Sequence, residues 1–424
     1  MSVKPLSSKC SLMLIAVALG SYSSAAAAQD DVIGQSVRDR ARTQFAPVPV
    51  YLSGFQIRPS IEADIGYDDN IYARNDIRRD DGIVTVSPEL NAQRNVGRFD
   101  FDLTLDSEHR RYFDTSSENA DNFRGIARAG YGERNDTRAD LRVSYAIQSE
   151  DRSRIDSISD TSVRGRFEDL DADLSASQRF GPFGVRGNLR YRDVDYLDRR
   201  NTSGELIDFS FRDFSIHEAG ATLSYAPYQN SEIFVAGRYE RRDFVEPDPA
   251  NPNAYPFDRS ADGFRVEAGF RQQVSALLFL RMQAGYLRYK FDDPQLQTVS
   301  GLAFDAEVLW NVTPLTSIEI RAQRALDENA SPDFAGNRRT ELAARVDHEL
   351  LRNLILTADA RISHSSPVGG QSSSTRYDGA LGAEYLVSRR FRLLASAHHE
   401  QRSSNDSNIE FSRNIVRAGL RFVF

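Results

Sequence analysis

Arginine and carboxylate residues recur in this 424-residue chain at even spacings within short alternating segments. Arg142, Arg190, Arg238, Arg265, Arg271, Arg345 and Arg361 keep the same local phase as Asp140, Glu267, Asp347 and Asp359. Residues two apart on a strand share a face, so each segment carries its charge on one side. Arginine presents a rigid fork of five N–H donors suited to carboxylate and phosphate oxygens, and a carboxylate only accepts. Such faces can pair with one another across strands, or guide a hydrophilic polymer or anionic solute. Both readings stay open, and pairing plus solvation of the wall is the plainer one.

Little else in the chain is suited to covalent or acid–base chemistry. The six histidines, His109, His217, His348, His364, His398 and His399, form no H-E-x-x-H spacing. In His217-Glu218 and His398-His399-Glu400 neighbouring side chains point to opposite faces of a strand. No G-x-S-x-G elbow, P-loop or EF-hand pattern is present. A lipase built on a barrel rim needs a serine beside an outward histidine, and His399 alone is a weak basis for one. No catalytic residue, cofactor or metal site is therefore expected. Asp68-Asp69-Asn70 and Asp292-Asp293 are acidic loop tips, read as solvated rather than as Ca²⁺ or lipopolysaccharide sites. Most Tyr and Phe fall on the phase opposite to the charges, so no inward aromatic stripe offers sugar stacking.

The charged faces need strands to carry them. From about residue 53 onward there are about 18 segments with period-2 alternation. Phe99, Phe101, Leu103 and Leu105 alternate with Asp100, Asp102, Thr104 and Asp106; Phe264, Val266, Ala268 and Phe270 alternate with Arg265, Glu267, Gly269 and Arg271. The stretches around Phe167 and Phe211 are blurred. Short turns at 95–97, 132–136, 181–184, 227–230, 274–276, 311–315, 351–353 and 388–390 alternate with longer polar connections at 74–82, 113–121, 197–208, 245–262, 329–336, 366–374 and 403–410. Pro247, Pro249, Pro252 and Pro256 keep 245–262 out of strand structure. Tyr67, Tyr131, Tyr145, Tyr191, Tyr225, Tyr239, Tyr286 and Tyr385 recur near strand ends, as in the aromatic girdles of membrane proteins. The pattern predicts an all-β chain: a transmembrane antiparallel up-and-down β-barrel of about 18 strands, with 16 as the alternative count. Its short turns should face the periplasm and its long loops the exterior. A closed sheet of that size leaves an aqueous lumen, so the inward charges should stay hydrated. A soluble sandwich also alternates, but it does not call for so many regular segments.

The ends fix the compartment. Lys4 and Lys9 precede an apolar run from Leu12 to Leu19 and then Ala26-Ala27-Ala28, the layout of a cleaved secretory signal. Residues 1–28 are read as that signal, 29–52 as a periplasmic N-terminal segment and 53–424 as the barrel. Cys10 leaves with the signal, which excludes a disulfide framework or thiolate metal site in the mature chain. Loss of two lysines takes the formal net charge from −8 to −10, which argues against nucleic-acid binding. The last strand alternates Val416, Ala418, Leu420, Phe422 and Phe424 with Arg417, Gly419, Arg421 and Val423. This places the chain in the bacterial outer membrane, in contact with lipid and lipopolysaccharide.

Two resemblances sharpen these expectations. The tail with Gly419, Phe422 and Phe424 resembles the C-terminal signal of outer-membrane proteins, which implies handling by the barrel assembly machinery. Arg38-Asp-Arg40-Ala-Arg42-Thr-Gln-Phe45-Ala-Pro47, Gly54-Phe55-Gln-Ile57-Arg-Pro59, Gly66-Tyr67-Asp-Asp69-Asn70-Ile71-Tyr72 and Val84-Thr-Val86-Ser-Pro88-Glu-Leu90 resemble the start of the putative β-barrel porin type 2 family. That resemblance implies an outer-membrane channel exporting a hydrophilic polymer, an exopolysaccharide or capsule, with a periplasmic polysaccharide export protein as partner. The alternatives are a general diffusion porin for small solutes and a plugged barrel acting as an interaction scaffold. No loop declares itself from sequence as an inward constriction, and residues 29–50 read as a tether, a plug or a docking segment.

Overall fold

The structure, a computed structural model, describes residues 34–133, 136–154, 163–200, 204–245, 257–327, 337–368 and 373–424. The expected cleavage after Ala28 and the four loop prolines lie outside them. Eighteen long strands follow in order: β1 (Phe55–Asp68), β2 (Asp81–Val96), β3 (Phe99–Tyr112), β4 (Ala120–Gly132), β5 (Thr137–Ser149), β6 (Arg166–Phe180), β7 (Phe183–Tyr196), β8 (Phe214–Tyr228), β9 (Ser231–Phe244), β10 (Ala261–Gln273), β11 (Leu278–Phe291), β12 (Val299–Thr313), β13 (Thr316–Asp327), β14 (Asn337–Leu351), β15 (Leu354–Pro367), β16 (Ser374–Leu386), β17 (Phe391–Ser404) and β18 (Phe411–Val423). Each pairs antiparallel with the next, and β1 pairs with β18 from Ser60↔Val423 to Asp68↔Ile415. The sheet is thereby a closed barrel with no free edge along that seam.

The distribution of side chains is inverted relative to a soluble protein. Leu189, Leu223, Leu381 and Leu420 are exposed on the outer face, whereas Glu62, Asp68, Glu267, Asp347 and Arg413 are buried on the inner one. Alternation puts the two sets on opposite sides of every strand, and the outer apolar band is suited to lipid. Tyr67, Tyr131, Tyr225, Tyr239 and Tyr286 all lie on that outer face. The expectation of freely hydrated inner charges needs correction. Many are packed into a network of ion pairs, because an arginine from one strand reaches across to a carboxylate on the next.

All eight short turns occur where turn chemistry places them, at one end of the barrel. At the other end the structure adds connections at 150–165 and 292–298 to those named from sequence. The blurred Phe211 segment is a folded cap rather than a strand. Phe209 and Phe211 pack with Val194, Tyr196, Phe214 and Ile216 in a buried cluster beside β7 and β8. Their inward apolar contact breaks the local alternation.

Candidate functional site: the charged lumen

The eleven charged residues singled out from sequence sit on β5, β7, β9, β10, β14 and β15, facing away from the exposed apolar side chains. Arg190 and Arg142 approach Asp171 at 2.6 and 3.8 Å. Asp140 pairs with Arg138 at 2.6 Å. Glu267 is shared by Arg238 at 3.2 Å and Arg265 at 2.5 Å. Arg271 meets Glu232 at 2.7 Å, Arg345 meets Asp359 at 2.7 Å, and Arg361 meets Asp378 at 3.4 Å. Asp347 accepts from the Thr357 hydroxyl at 3.1 Å. Two of these pairs, Arg238–Glu267 and Arg345–Asp359, join residues both named from sequence on adjacent strands. The other partners lay in blurred segments, such as Asp169 and Asp171 on β6, or were passed over.

Two adjoining cavities, of about 80 and 30 Å³, run along β7–β13. Their walls present eight arginines, including Arg192, Arg242, Arg281 and Arg324, which sequence reading did not select. Only Glu218, Glu240 and Asp305 front the same space as carboxylates. The compensating acids stand behind: Glu267 is 2% exposed, and the longer guanidinium side chains lie over it. A carboxylate engages only part of a five-donor fork, so the face turned to the cavities is a donor face. A third cavity of about 100 Å³ lies on the other side of the lumen. It mixes Arg345, Arg417 and Arg38 with Asp64, Asp359 and Glu384.

The long-loop mouth is narrowed by residues 150–154. They leave β5 and turn inward, where the fully buried Ser153 is held from strands a third of the circumference away. Arg376 on β16 donates to the Ser153 hydroxyl at 3.0 Å, and Arg402 on β17 donates to its carbonyl. Arg413 on β18 lies 3.8 Å from Asp151. Neighbouring loops clamp the base of this crossing. Glu150 accepts from Arg212 at 2.8 Å and Arg199 at 3.0 Å, whose guanidiniums stack on Tyr196 and Phe209. Glu118 accepts from Arg152 at 2.7 Å and from Arg164 at 3.1 Å. Burial alone would raise the Glu118 carboxyl, but the hydrogen bonds and charges of Arg152 and Arg164 outweigh it and hold it below the ordinary glutamate range. Sequence reading missed this inward loop.

The Asp68-Asp69-Asn70 tip also departs from expectation: it is not a solvated loop tip. Asp68 is fully buried and takes the fork of Arg413 across the β1–β18 seam, with both Nε–oxygen distances at 3.0 Å. Asp69 accepts from the Asn414 backbone and side chain at 2.7 and 2.8 Å, and the Asn70 amide donates to the Ser412 carbonyl at 2.9 Å. The motif staples the first strand to the last. Among the described residues one group, Asp378, His398 and Glu400, has metal-ligand spacing. The Arg376 guanidinium stands at 2.8 Å from Asp378 and 3.1 Å from Glu400, so a cation already lies between the carboxylates.

A family model described as putative beta-barrel porin 2 matches residues 42–424. The chain belongs to that family. Its outer-membrane, porin-like character follows from the barrel and the family together. Among curated proteins none matches by sequence. Similar solved structures include the outer membrane protein OpdK of Pseudomonas aeruginosa, at 10% identity and a TM-score of 0.47 over 87% of this chain and 99% of that one. OccK2 (OpdF) of the same organism, in complex with glucuronate, is similar at 10% identity and 0.46 over 87% and 98%. The ferric-catecholate import receptor Fiu of E. coli K12 is similar at 10% and 0.43 over 86% and 81%.

Proposed function

We propose that this porin-like barrel conducts an anionic hydrophilic polymer, an acidic exopolysaccharide, outward through its charged lumen without chemistry. The observation that carries this reading is the donor face along β7–β13, where eight arginines front the cavities against three carboxylates. An arginine-fronted, water-accessible wall favours anions by charge and by bidentate hydrogen bonding. A polymer moving along it exchanges one guanidinium for the next; the inward rings of Phe214, Phe234 and Tyr289, which the sequence pattern did not anticipate, each lie under an arginine, Arg192, Arg271 and Arg242 respectively. The family resemblance adds a periplasmic polysaccharide export protein as the partner delivering the polymer. The test is a clean gene deletion scored for surface acidic polysaccharide, with wild-type and Arg238→Glu/Arg265→Glu complementation. Loss in the deletion and failure of the charge-reversed variant, at equal assembly, supports export. Unchanged polysaccharide in the deletion rejects it.

A second reading is favoured by residues 150–154, whose crossing of the mouth through Ser153 suits selection among small solutes. It makes the protein a diffusion porin for small anions. Slowed uptake of small carboxylates in the deletion, with normal polysaccharide, selects this reading.

A further inference from the structure

We propose that residues 34–46 form a releasable strap that closes the short-turn mouth of the barrel from inside. The anchors of the strap lie on the inner wall and in two of the short turns. The Val37 amide donates to the Ser317 hydroxyl at 2.8 Å on β13. Arg40 donates to the Asn311 side-chain oxygen at 2.6 Å on β12 and to the Pro314 carbonyl in the β12–β13 turn. Arg42 pairs with Glu349 on β14 at 2.8 Å. Further along, the Gln44 carbonyl accepts from Arg389 in the β16–β17 turn at 3.2 Å. The chain then reaches Val50–Leu52, which pairs with Phe55–Ile57 at the start of β1. Residues 34–52 thus run from the β12–β14 wall, past β16–β17, to the first barrel strand. Arg38 lines the same cavity as Arg345, Asp359 and Arg417.

The chemistry of these anchors is that of a latch rather than a core. Val37 is the one buried apolar side chain of residues 34–46. The remaining contacts are hydrogen bonds and one ion pair, which water or a charged competitor can replace. Ser36 and Val37 are nonetheless almost fully buried, so the seated state is specific. Gly34 belongs to it too, since a Cβ there would meet the Phe279 ring at 2.2 Å. The family match begins at residue 42, so the anchors at Val37 and Arg40 precede it. A solute traversing the lumen must pass the segment that carries Arg38, so the strap sets the size of the periplasmic opening.

The device rests on the reading that the lumen conducts, and planar-bilayer recording in KCl separates the two. Four barrels are compared after heat-modifiability shows each is folded: wild type, a deletion of residues 34–46, Val37→Cys/Ser317→Cys and Arg40→Ala/Arg42→Ala. The native chain has one cysteine, Cys10, so the introduced pair is unambiguous. The deletion should raise single-channel conductance several-fold. The oxidised cysteine pair should lose its opening transitions and regain them on reduction. Arg40→Ala/Arg42→Ala, which keeps the segment, should open more often than wild type. Equal conductance in all of them, zero included, overturns the strap. The reversal potential in asymmetric KCl reports anion preference in the same recordings. A strap-dependent conductance without anion preference therefore sinks the arginine path and leaves the strap standing.

Discussion

Glu118 ties residues 150–154 to the neighbouring loop, and removing it should free the inward crossing without harming the barrel. Its side chain is 1% exposed and receives Arg152 and Arg164, themselves 8% and 5% exposed. Breaking a buried pair by deleting one partner costs about 3–5 kcal/mol, because the other charge is left uncompensated. After Glu118→Ala, Arg164 keeps a hydrogen bond to the Tyr112 hydroxyl at 3.3 Å and a place over its ring. The lower figure, about 3 kcal/mol, is therefore the better expectation. At about 1.4 kcal/mol per tenfold, the local opening equilibrium should rise roughly a hundredfold. The eighteen-strand ladder does not pass through Glu118, so global stability should hold. Hydrogen exchange on the detergent-solubilised protein reads this directly: amides of residues 150–154 should exchange faster by about that factor, while β5 and β6 keep their protection. Because the folded carboxyl lies below its ordinary value of 4.5, the clamp is fully present above that pH and is lost only as pH falls through the lower folded value. Acidifying from neutrality to about pH 5 should leave it closed. Unchanged exchange at 150–154 in the alanine variant refutes the clamp.

Asp68→Asn should cost about 3–5 kcal/mol at the β1–β18 seam by stranding Arg413, read as a lower urea midpoint for loss of the compact band on unheated gels. Gly419→Val should fail to assemble, since a Cβ at residue 419 would lie 2.8 Å from the Asp64 Cβ. Deleting Phe424 removes its 4.6 Å ring contact with Phe422 and the hydrogen bond its backbone N–H donates to the Pro59 carbonyl. It should slow assembly while leaving the folded barrel's conductance intact. In loop 197–213, burial raises the Asp213 carboxyl to about 7, against the Tyr196 amide bond that favours its charge, with Asp195, Asp208 and Asp193 adding to the rise. Its contribution to stability is thus present at low pH and lost as pH rises through about 7. Exchange at residues 209–214, corrected for intrinsic rate, should quicken between about pH 4 and 7 and level off above it, and Asp213→Asn should flatten that dependence. Glu267→Gln leaves Arg238 and Arg265 without their shared carboxylate, so an added small carboxylate such as acetate should raise the variant's melting temperature more than the wild type's. Equal shifts speak against an accessible donor face.

Alternation and turn chemistry were enough to find the strands, because lipid on one side and a polar interior on the other impose period two on every segment. Phe99–Leu105 and Phe264–Phe270 are clean for that reason. The same rule says which face a charge is on but not what it touches. Arg238 and Glu267 could be read as inward, yet sequence alone did not show that Arg238 and Arg265 share one carboxylate, which depends on strand register. The polar run at 150–154 looks like any solvated loop. Its partners Arg376, Arg402 and Arg413 lie more than two hundred residues away in sequence, and no local pattern encodes that encounter. Phe209 and Phe211, spaced two apart in polar sequence, carried a faint signal that the loop folds on itself. The Asp68-Asp69-Asn70 tip was legible as a motif and not as a role, since its partners are the residues that close the barrel at the far end of the chain.

The depth of each charge in the wall bears on conduction more than the number of charges does. Glu and Asp have short side chains and stay near the backbone, where Glu267 and Asp347 are almost fully covered. Arginine is long enough to span the carboxylate and still turn donors toward the lumen. A wall with nearly matched charges can therefore present an electropositive surface to a passing solute while each guanidinium keeps its counter-charge behind it. That backing lowers the cost of holding many like charges side by side, and it weakens any single anion contact, because the guanidinium is already partly satisfied. Weak, repeated contacts are what conduction requires, since a site must admit a solute and then release it. A wall of unbacked arginines would bind an acidic polymer and hold it. On the proposed path the acids behind the donor face therefore count as much as the arginines in front.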